Sequence, residues 1–140
     1  TLPANLVLGS SANFTGVDLL FALLFFGFLS LEFVADQQQW NFHQAKKAGT
    51  ETGFLTKGLF SISRHPNFFA EQAQWWVLAI WCFVVSGSSD WYYILGAVIL
   101  TALFIGSARF TEQISASKYP NYANYQKRVS MMIPWFAKNN

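Results

Sequence analysis

Residues 68–108 read FFAEQAQWWVLAIWCFVVSGSSDWYYILGAVILTALFIGSA. Two apolar runs, residues 68–86 and 91–108, flank the turn-like linker Gly87-Ser88-Ser89-Asp90. Each run is close to the roughly 20 residues that a helix needs to cross the hydrocarbon core of a bilayer. The linker is short and rich in turn formers, so the two runs are predicted to form an antiparallel hairpin. Upstream, residues 17–35 make a third apolar run, with Glu32 near its end. Buried helices of a soluble protein have similar composition. Three of them in 140 residues would leave no amphipathic helices to cover them. The predicted fold is therefore all-α: a polytopic transmembrane helix bundle of about three spans, with residues 1–140 as a single membrane domain.

Composition agrees. The chain is 53% hydrophobic, 19% aromatic and 11% charged, against about 25% charged in soluble domains. So few charges cannot solvate a water-exposed globule, whereas a lipid-facing surface needs none. Membrane lipids are the expected surroundings. A net charge of +2 is too small to suggest nucleic acid as a partner. The single cysteine, Cys82, excludes an internal disulfide, and one Cys with two His makes a metal site unexpected. The chain opens on Thr1 and enters an apolar pattern without a basic leader, so an upstream part is expected rather than a signal peptide.

The placement of charge says more than its sum. Lys46, Lys47, Lys57 and Arg64 lie between the first and second runs, and Arg109, Lys118, Lys127, Arg128 and Lys138 follow the third. Three crossings put both groups on one side. Positive charge marks the cytoplasmic side, so loop 36–67 and the C-terminal tail are predicted to be cytoplasmic. The membrane would be the endoplasmic reticulum in a eukaryote or the inner membrane in a bacterium. Trp75 and Trp76, and Trp91 with Tyr92 and Tyr93, fit interfacial belts. The loop holds Gly49, Gly53 and Gly58, which permit unusual backbone angles, and Pro66 suits a helix start. The tail reads as two short helices broken at Tyr119-Pro120.

Three polar pairs sit at the helix ends: Glu32 with Asp36, Asn67 with Glu71, and Arg109 with Glu112. Spacings of three or four place each pair on one helix face. Ionisable groups at membrane depth usually face a partner or a wet cavity, so the three pairs together point to a site. Single groups could simply mark the water boundary. Arg64-His65-Pro66-Asn67 suits an anionic group such as phosphate, through the arginine fork and the free N–H donors of a helix start. Charge alone would also suit lipid headgroups. His43 has no supporting partner in the sequence and reads as loop. Tyr119, Tyr122 and Tyr125 share one side and could stack on a planar ring, or lie at the headgroups of a surface helix. No phosphate-cradling glycine loop or serine nucleophile elbow occurs.

The order Ala35-Asp36-x-Gln38, Gly58-Leu59-Phe60-Ser61-x-Ser63-Arg64-His65-Pro66-Asn67-Phe68-x-x-Glu71, Trp75-Trp76, Thr111-Glu112, Lys118-Tyr119-Pro120-x-Tyr122-x-x-Tyr125 and Ile133-Pro134-Trp135 resembles the C-terminal domain of steroid 5-alpha-reductase-like membrane proteins. The match covers about residues 31–136 and is closest to a poorly characterised branch. The resemblance implies an NADPH-dependent reductase acting on a double bond of a hydrophobic, lipid or steroid-like small molecule. It implies that Asp36, Arg64, His65, Asn67, Glu71, Glu112, Tyr119, Tyr122 and Tyr125 line a cofactor pocket. The related isoprenylcysteine carboxyl methyltransferases share the Arg-His-Pro segment and the Tyr-x-x-Tyr tail, which makes S-adenosylmethionine the alternative cofactor. A non-catalytic protein that keeps the fold is a third possibility. The steroid enzymes lack the Arg-His-Pro triplet, and their histidine after the last helix has no counterpart near Glu112 and Ile114. In those enzymes the catalytic Glu and Tyr lie on N-terminal helices, so this chain is expected to carry the cofactor half and not the catalytic pair.

Overall fold

The computed structural model describes residues 13–87 and 90–139. Its helices are α1 (Gly16–Lys47), a 3-10 turn (Gly58–Ser61), α2 (Pro66–Ser86), α3 (Tyr92–Lys118) and α4 (Tyr122–Arg128). No strand occurs among the described residues, as the all-α reading required. α1, α2 and α3 are each long and apolar enough to cross a membrane, and the protein is built as a multi-pass membrane protein. Leu23, Phe26, Phe33, Ile99 and Leu103 stand exposed along α1 and α3, which suits contact with lipid chains and not with water.

α2 is the centre of the bundle, antiparallel to both neighbours. On the α1 side, Phe21 stacks on Trp81 and Phe28 meets Phe69 edge-on. Gln74 donates to Glu32, and Trp81 Nε1 donates to Asp18 Oδ1 at 2.8 Å. On the α3 side, Phe68 meets Phe104, and Trp76 Nε1 donates to Thr101 Oγ1 at 3.0 Å. Ala35, Ala70 and Ala108 are fully buried; small side chains let helix backbones approach closely where hydrophobicity gives no drive. Trp76 thus serves the helix seam and not the interfacial belt predicted for it, because its ring N–H found a hydroxyl inside the bundle. Trp75 is exposed, but it lies midway along α2 and not at the helix end where a belt forms.

The helix ends differ from the sequence reading in one systematic way. α1 was expected to stop near Ala35 and continues to Lys47; α3 was expected to stop near Ala108 and continues to Lys118. Hydropathy marks where the bilayer ends, not where the helix ends. Residues 36–47 are polar, yet four are Gln and two Lys, good helix formers, and no Gly or Pro stands among them. The loop is therefore residues 48–65. The first of the two predicted tail helices is the end of α3, and only the second, α4, is separate. At 1.5 Å per residue, the added part of α1 rises about 18 Å beyond residue 35.

The loop and tail close over these projecting ends. Gly49, Gly53 and Gly58 all take positive φ, as expected. Gly58 (φ +62) also lies against the Gln38 side-chain amide, whose Oε1 accepts from Leu59 N at 2.9 Å. A Cβ at position 58 would run into that amide. Gly58→Ala is expected to destabilise the protein by at least about 1–2 kcal/mol, from the left-handed backbone alone, read as a lowered thermal midpoint in detergent. Pro66 opens α2 as predicted. After α4 the tail runs back along the segment before α2. Arg64 N donates to Ser130 O (2.8 Å), His65 N to Met131 O (3.0 Å), and Trp135 N to Ile62 O (3.0 Å). Ser63, fully buried, donates its hydroxyl to Met132 O at 2.6 Å. At the opposite end Thr15 caps α1 in a reciprocal box with Asp18. Gly87 ends α2 in a left-handed cap, while the predicted turn residues Ser88 and Ser89 lie outside the described residues.

Candidate functional site

α1 and α3 both extend past the start of α2, so nothing fills the space between their ends directly above Pro66. That gap is a cavity of about 290 Å³. Gln39, Phe42, His43 and Lys46 of α1 line one wall; Thr111, Ile114, Ser115 and Lys118 of α3 line the other. Both sets follow the spacing i, i+3, i+4, i+7, one stripe of an α-helix. The floor is Arg64, His65, Asn67 and Phe68 at the mouth of α2. Tyr119, Tyr122 and Tyr125, with Phe54 and Leu55 of the loop, close the remaining side.

Below the floor lies a buried charge network. Glu112 sits on α3, turned inward, with 7% of its side chain exposed. Arg64 Nε donates to its Oε1 at 2.6 Å and Nη2 to its Oε2 at 3.2 Å. Gln126 Nε2 donates to Oε2 at 2.9 Å. Arg64 Nη1 donates to the carbonyl oxygens of Gln126 and Val129, each at 2.6 Å. One guanidinium thus ties α3, α4 and the tail together, and the two-point geometry is the strong form of such a contact. His65 Nε2 lies 3.1 Å from Glu112 Oε1. A carboxylate paired with arginine can only accept there, so Nε2 carries the hydrogen. In the neutral ring Nδ1 is then an acceptor, on a side chain that lines the cavity. A histidine oriented by a carboxylate in this way can hold or pass a proton.

The structure therefore brings Arg64, His65, Asn67, Tyr119, Tyr122 and Tyr125 onto one cavity. It does not bring Asp36, Glu71 or Glu112 onto that cavity wall. Asn67 Nδ2 donates to Asp36 Oδ1 at 3.1 Å, which locks the mouths of α1 and α2. Glu71 is near enough to Glu32 and Asp36 to feel both charges along that seam. Glu112 works one layer beneath, through Arg64 and His65. Arg109, its expected companion, is exposed and joins none of these bonds. The tyrosines do not lie on a membrane surface: Tyr122 and Tyr125 are buried with Val129. They already pack against a ring, since Phe54 meets Tyr122 edge-on at 4.9 Å and lies tilted against Tyr125 at 5.4 Å and Tyr119 at 5.5 Å. Tyr125 also donates its hydroxyl to Phe60 O.

A family model described as protein of unknown function (DUF1295) matches residues 1–129. The chain belongs to this family. DUF1295 is steroid 5-alpha-reductase-like, so the resemblance read from the Arg64-His65-Pro66-Asn67 and tyrosine motifs holds at that level. An uncharacterized protein of Schizosaccharomyces pombe is 34% identical over 142 aligned positions, covering 90% of this chain and 41% of the yeast protein. The chain spans about two fifths of the length of that curated relative. No solved structure matches it.

Several lining residues of this DUF1295 chain escaped the sequence reading. Lys46 donates to Gly53 O at 2.6 Å and to the Tyr119 hydroxyl, and its ammonium stands 4.9 Å from the centre of that ring. His43, read as loop, is on α1 and lines the cavity. The available signal was the helical stripe 39, 42, 43, 46, which becomes visible once α1 is continued past residue 35.

Burial, and next to it the Glu112 charge, push the Tyr122 hydroxyl up to about 12. The folded protein therefore holds that proton when an unfolded tyrosine, near 10, has lost it. Protons are then bound more tightly by the folded state, so stability falls as pH rises from about 10 to about 12. Tyr122→Phe is expected to flatten that part of the stability profile, measured by thermal unfolding across alkaline pH.

Proposed function

We propose that this cavity binds the phosphate-bearing nucleotide NADPH, and that the protein is a membrane reductase acting on a double bond of a lipid or steroid-like substrate. One observation carries the reading. Lys46 and Lys118, which have no carboxylate partner among the described residues, line the cavity with His43 and His65, and no Asp or Glu among those residues does. The first-turn N–H groups of α2 at Asn67 and Phe68 add donors that no helix carbonyl satisfies. Such a lining suits a multiply charged anion. It does not favour S-adenosylmethionine, whose sulfonium is a cation and gains from carboxylates or open aromatic faces. The acids that could have served it are spent on the seam and on Arg64.

At about 290 Å³ the cavity is at the small end for ligand sites. It takes one ring, its ribose and a phosphate, with the rest of the dinucleotide leaving through the mouth. NADPH, when bound, supplies the hydride. The chain's own contribution is to bind and orient it: Lys46 and Lys118 on anionic oxygens, Asn67 and the tyrosine hydroxyls on ribose and amide groups, and His65 Nδ1 to hold or move a proton. With all nine Lys and Arg on the cavity side of the spans, that side faces the cytoplasm, where the nucleotide is available.

The test is mass spectrometry of small molecules retained by the protein purified in mild detergent, followed by titration with each candidate. Retained or saturably bound NADPH supports the reading. Saturable S-adenosylmethionine binding without NADPH binding makes the protein a methyltransferase of the isoprenylcysteine type. Saturable binding of neither makes it a non-catalytic member of the fold.

A further inference from the structure

A second cavity of about 380 Å³ lies on the outer side of the Arg64 guanidinium, between α4 and the tail. Its walls include Lys127, Arg128, Lys138, Trp135 and Phe136. The three cations are exposed, and none has a carboxylate partner among the described residues. Arg128 Nε reaches only a carbonyl, that of Lys138, at 3.4 Å. Arg64 is a wall and not a free donor, because its bonds go to Glu112 and to the carbonyls of Gln126 and Val129. Beside the cations, Trp135 is 69% exposed, Phe136 83% and Ile133 66%.

Unpaired cations and large bare apolar side chains within one short segment are unsuited to bulk water and to hydrocarbon alike. They suit the boundary between the two. The backbone fixes the tail at that boundary. Trp135 N is bonded to Ile62 O and Arg64 N to Ser130 O, so the tail is held against the segment just before Pro66, where α2 begins.

We propose that this crevice holds the headgroup of an anionic phospholipid, with Lys127, Arg128 and Lys138 around the phosphate and Trp135 and Phe136 among the first acyl carbons. The site is separate from the inner cavity and does not depend on the nucleotide reading. Its function is to seat the tail, and through Arg64 the floor of the inner cavity, on the membrane surface.

The test reconstitutes the full chain, without nucleotide, in nanodiscs of mixed phosphatidylcholine and phosphatidylglycerol. Lipid retained after extraction is counted by native mass spectrometry. Phosphatidylglycerol is expected to be retained over phosphatidylcholine, and the preference to fall about fivefold for each of Lys127→Gln, Arg128→Gln and Lys138→Gln. These side chains are exposed, so helix content is expected to be unchanged. Trp135→Ser with Phe136→Ser is expected to speed amide exchange at residues 130–139 in the nanodisc. Equal retention of the two lipids by the unaltered chain overturns the proposal. So does an undiminished preference in the variant that combines these three substitutions, or loss of the bound lipid to inorganic phosphate, which would make the crevice a site for a soluble anion. Because no nucleotide is present, all three outcomes leave the NADPH reading untouched.

Discussion

Glu112→Ala is expected to destabilise the protein by about 3–5 kcal/mol, the largest effect of any single substitution considered. The reason is what the change leaves behind. Arg64 and Glu112 have side chains only 10% and 7% exposed. With the carboxylate gone, the guanidinium stays buried with two carbonyl partners and no counter-charge. Breaking one side of a buried pair costs that much, whereas exchanging both partners for apolar groups of similar volume is often nearly neutral. The double variant Arg64→Met with Glu112→Leu is therefore expected to recover much of the loss, measured as the thermal midpoint in detergent. If Glu112→Ala unfolds at the same temperature as the unaltered protein, the network is not the clamp between α3, α4 and the tail. The same pair separates stability from site chemistry. The double variant regains the fold yet loses the anchor of His65, so it is expected to remain weak in nucleotide binding.

The second large effect is on binding. Lys46→Met removes a cation from the cavity wall together with its bonds to Gly53 O and the Tyr119 hydroxyl. Hydrogen bonds to a charged group contribute about 1.5–3 kcal/mol. NADPH affinity is expected to fall about 10- to 100-fold; the lost bonds to Gly53 O and Tyr119 lower the thermal midpoint as well, so affinity is read below the variant's own unfolding temperature. Asn67→Ala is expected to weaken binding as well, since Asn67 lines the cavity. Glu71→Gln, at the α1–α2 seam and off the cavity wall, is expected to change affinity far less. An equal effect of the two substitutions would place the ligand along the seam instead.

The membrane-spanning part of the fold was legible in the sequence because composition decides it. Apolar runs at 17–35, 68–86 and 91–108 are each close to the length a helix needs to cross the bilayer. The site was legible only in part, and for a single reason. Hydropathy falls over the polar residues 36–47 and 109–118, which points to loop and tail, yet the helices run on through both. Once α1 is continued, Gln39, Phe42, His43 and Lys46 fall on one face. Once α3 is continued, Thr111, Ile114, Ser115 and Lys118 do the same. Arg64, His65, Asn67 and the tyrosines were found because a local motif marks them. That Glu112 would turn inward to Arg64 while Arg109 turned out was not legible. It depends on where α4 and residues 129–131 pack, which is a matter of tertiary contact. Phe54 was invisible for the same reason: one aromatic in a glycine-flanked loop carries no sign that three tyrosines will surround it.

The central claim is that the space between the ends of α1 and α3 is a nucleotide site. Calorimetric titration of NADPH into the nanodisc-held protein tests it most directly, at low and high salt and with Lys46→Met alongside. One saturable site that weakens with added salt, and weakens further in the variant, is the predicted result. No heat of binding at any salt concentration, or an affinity unchanged by Lys46→Met, would contradict it.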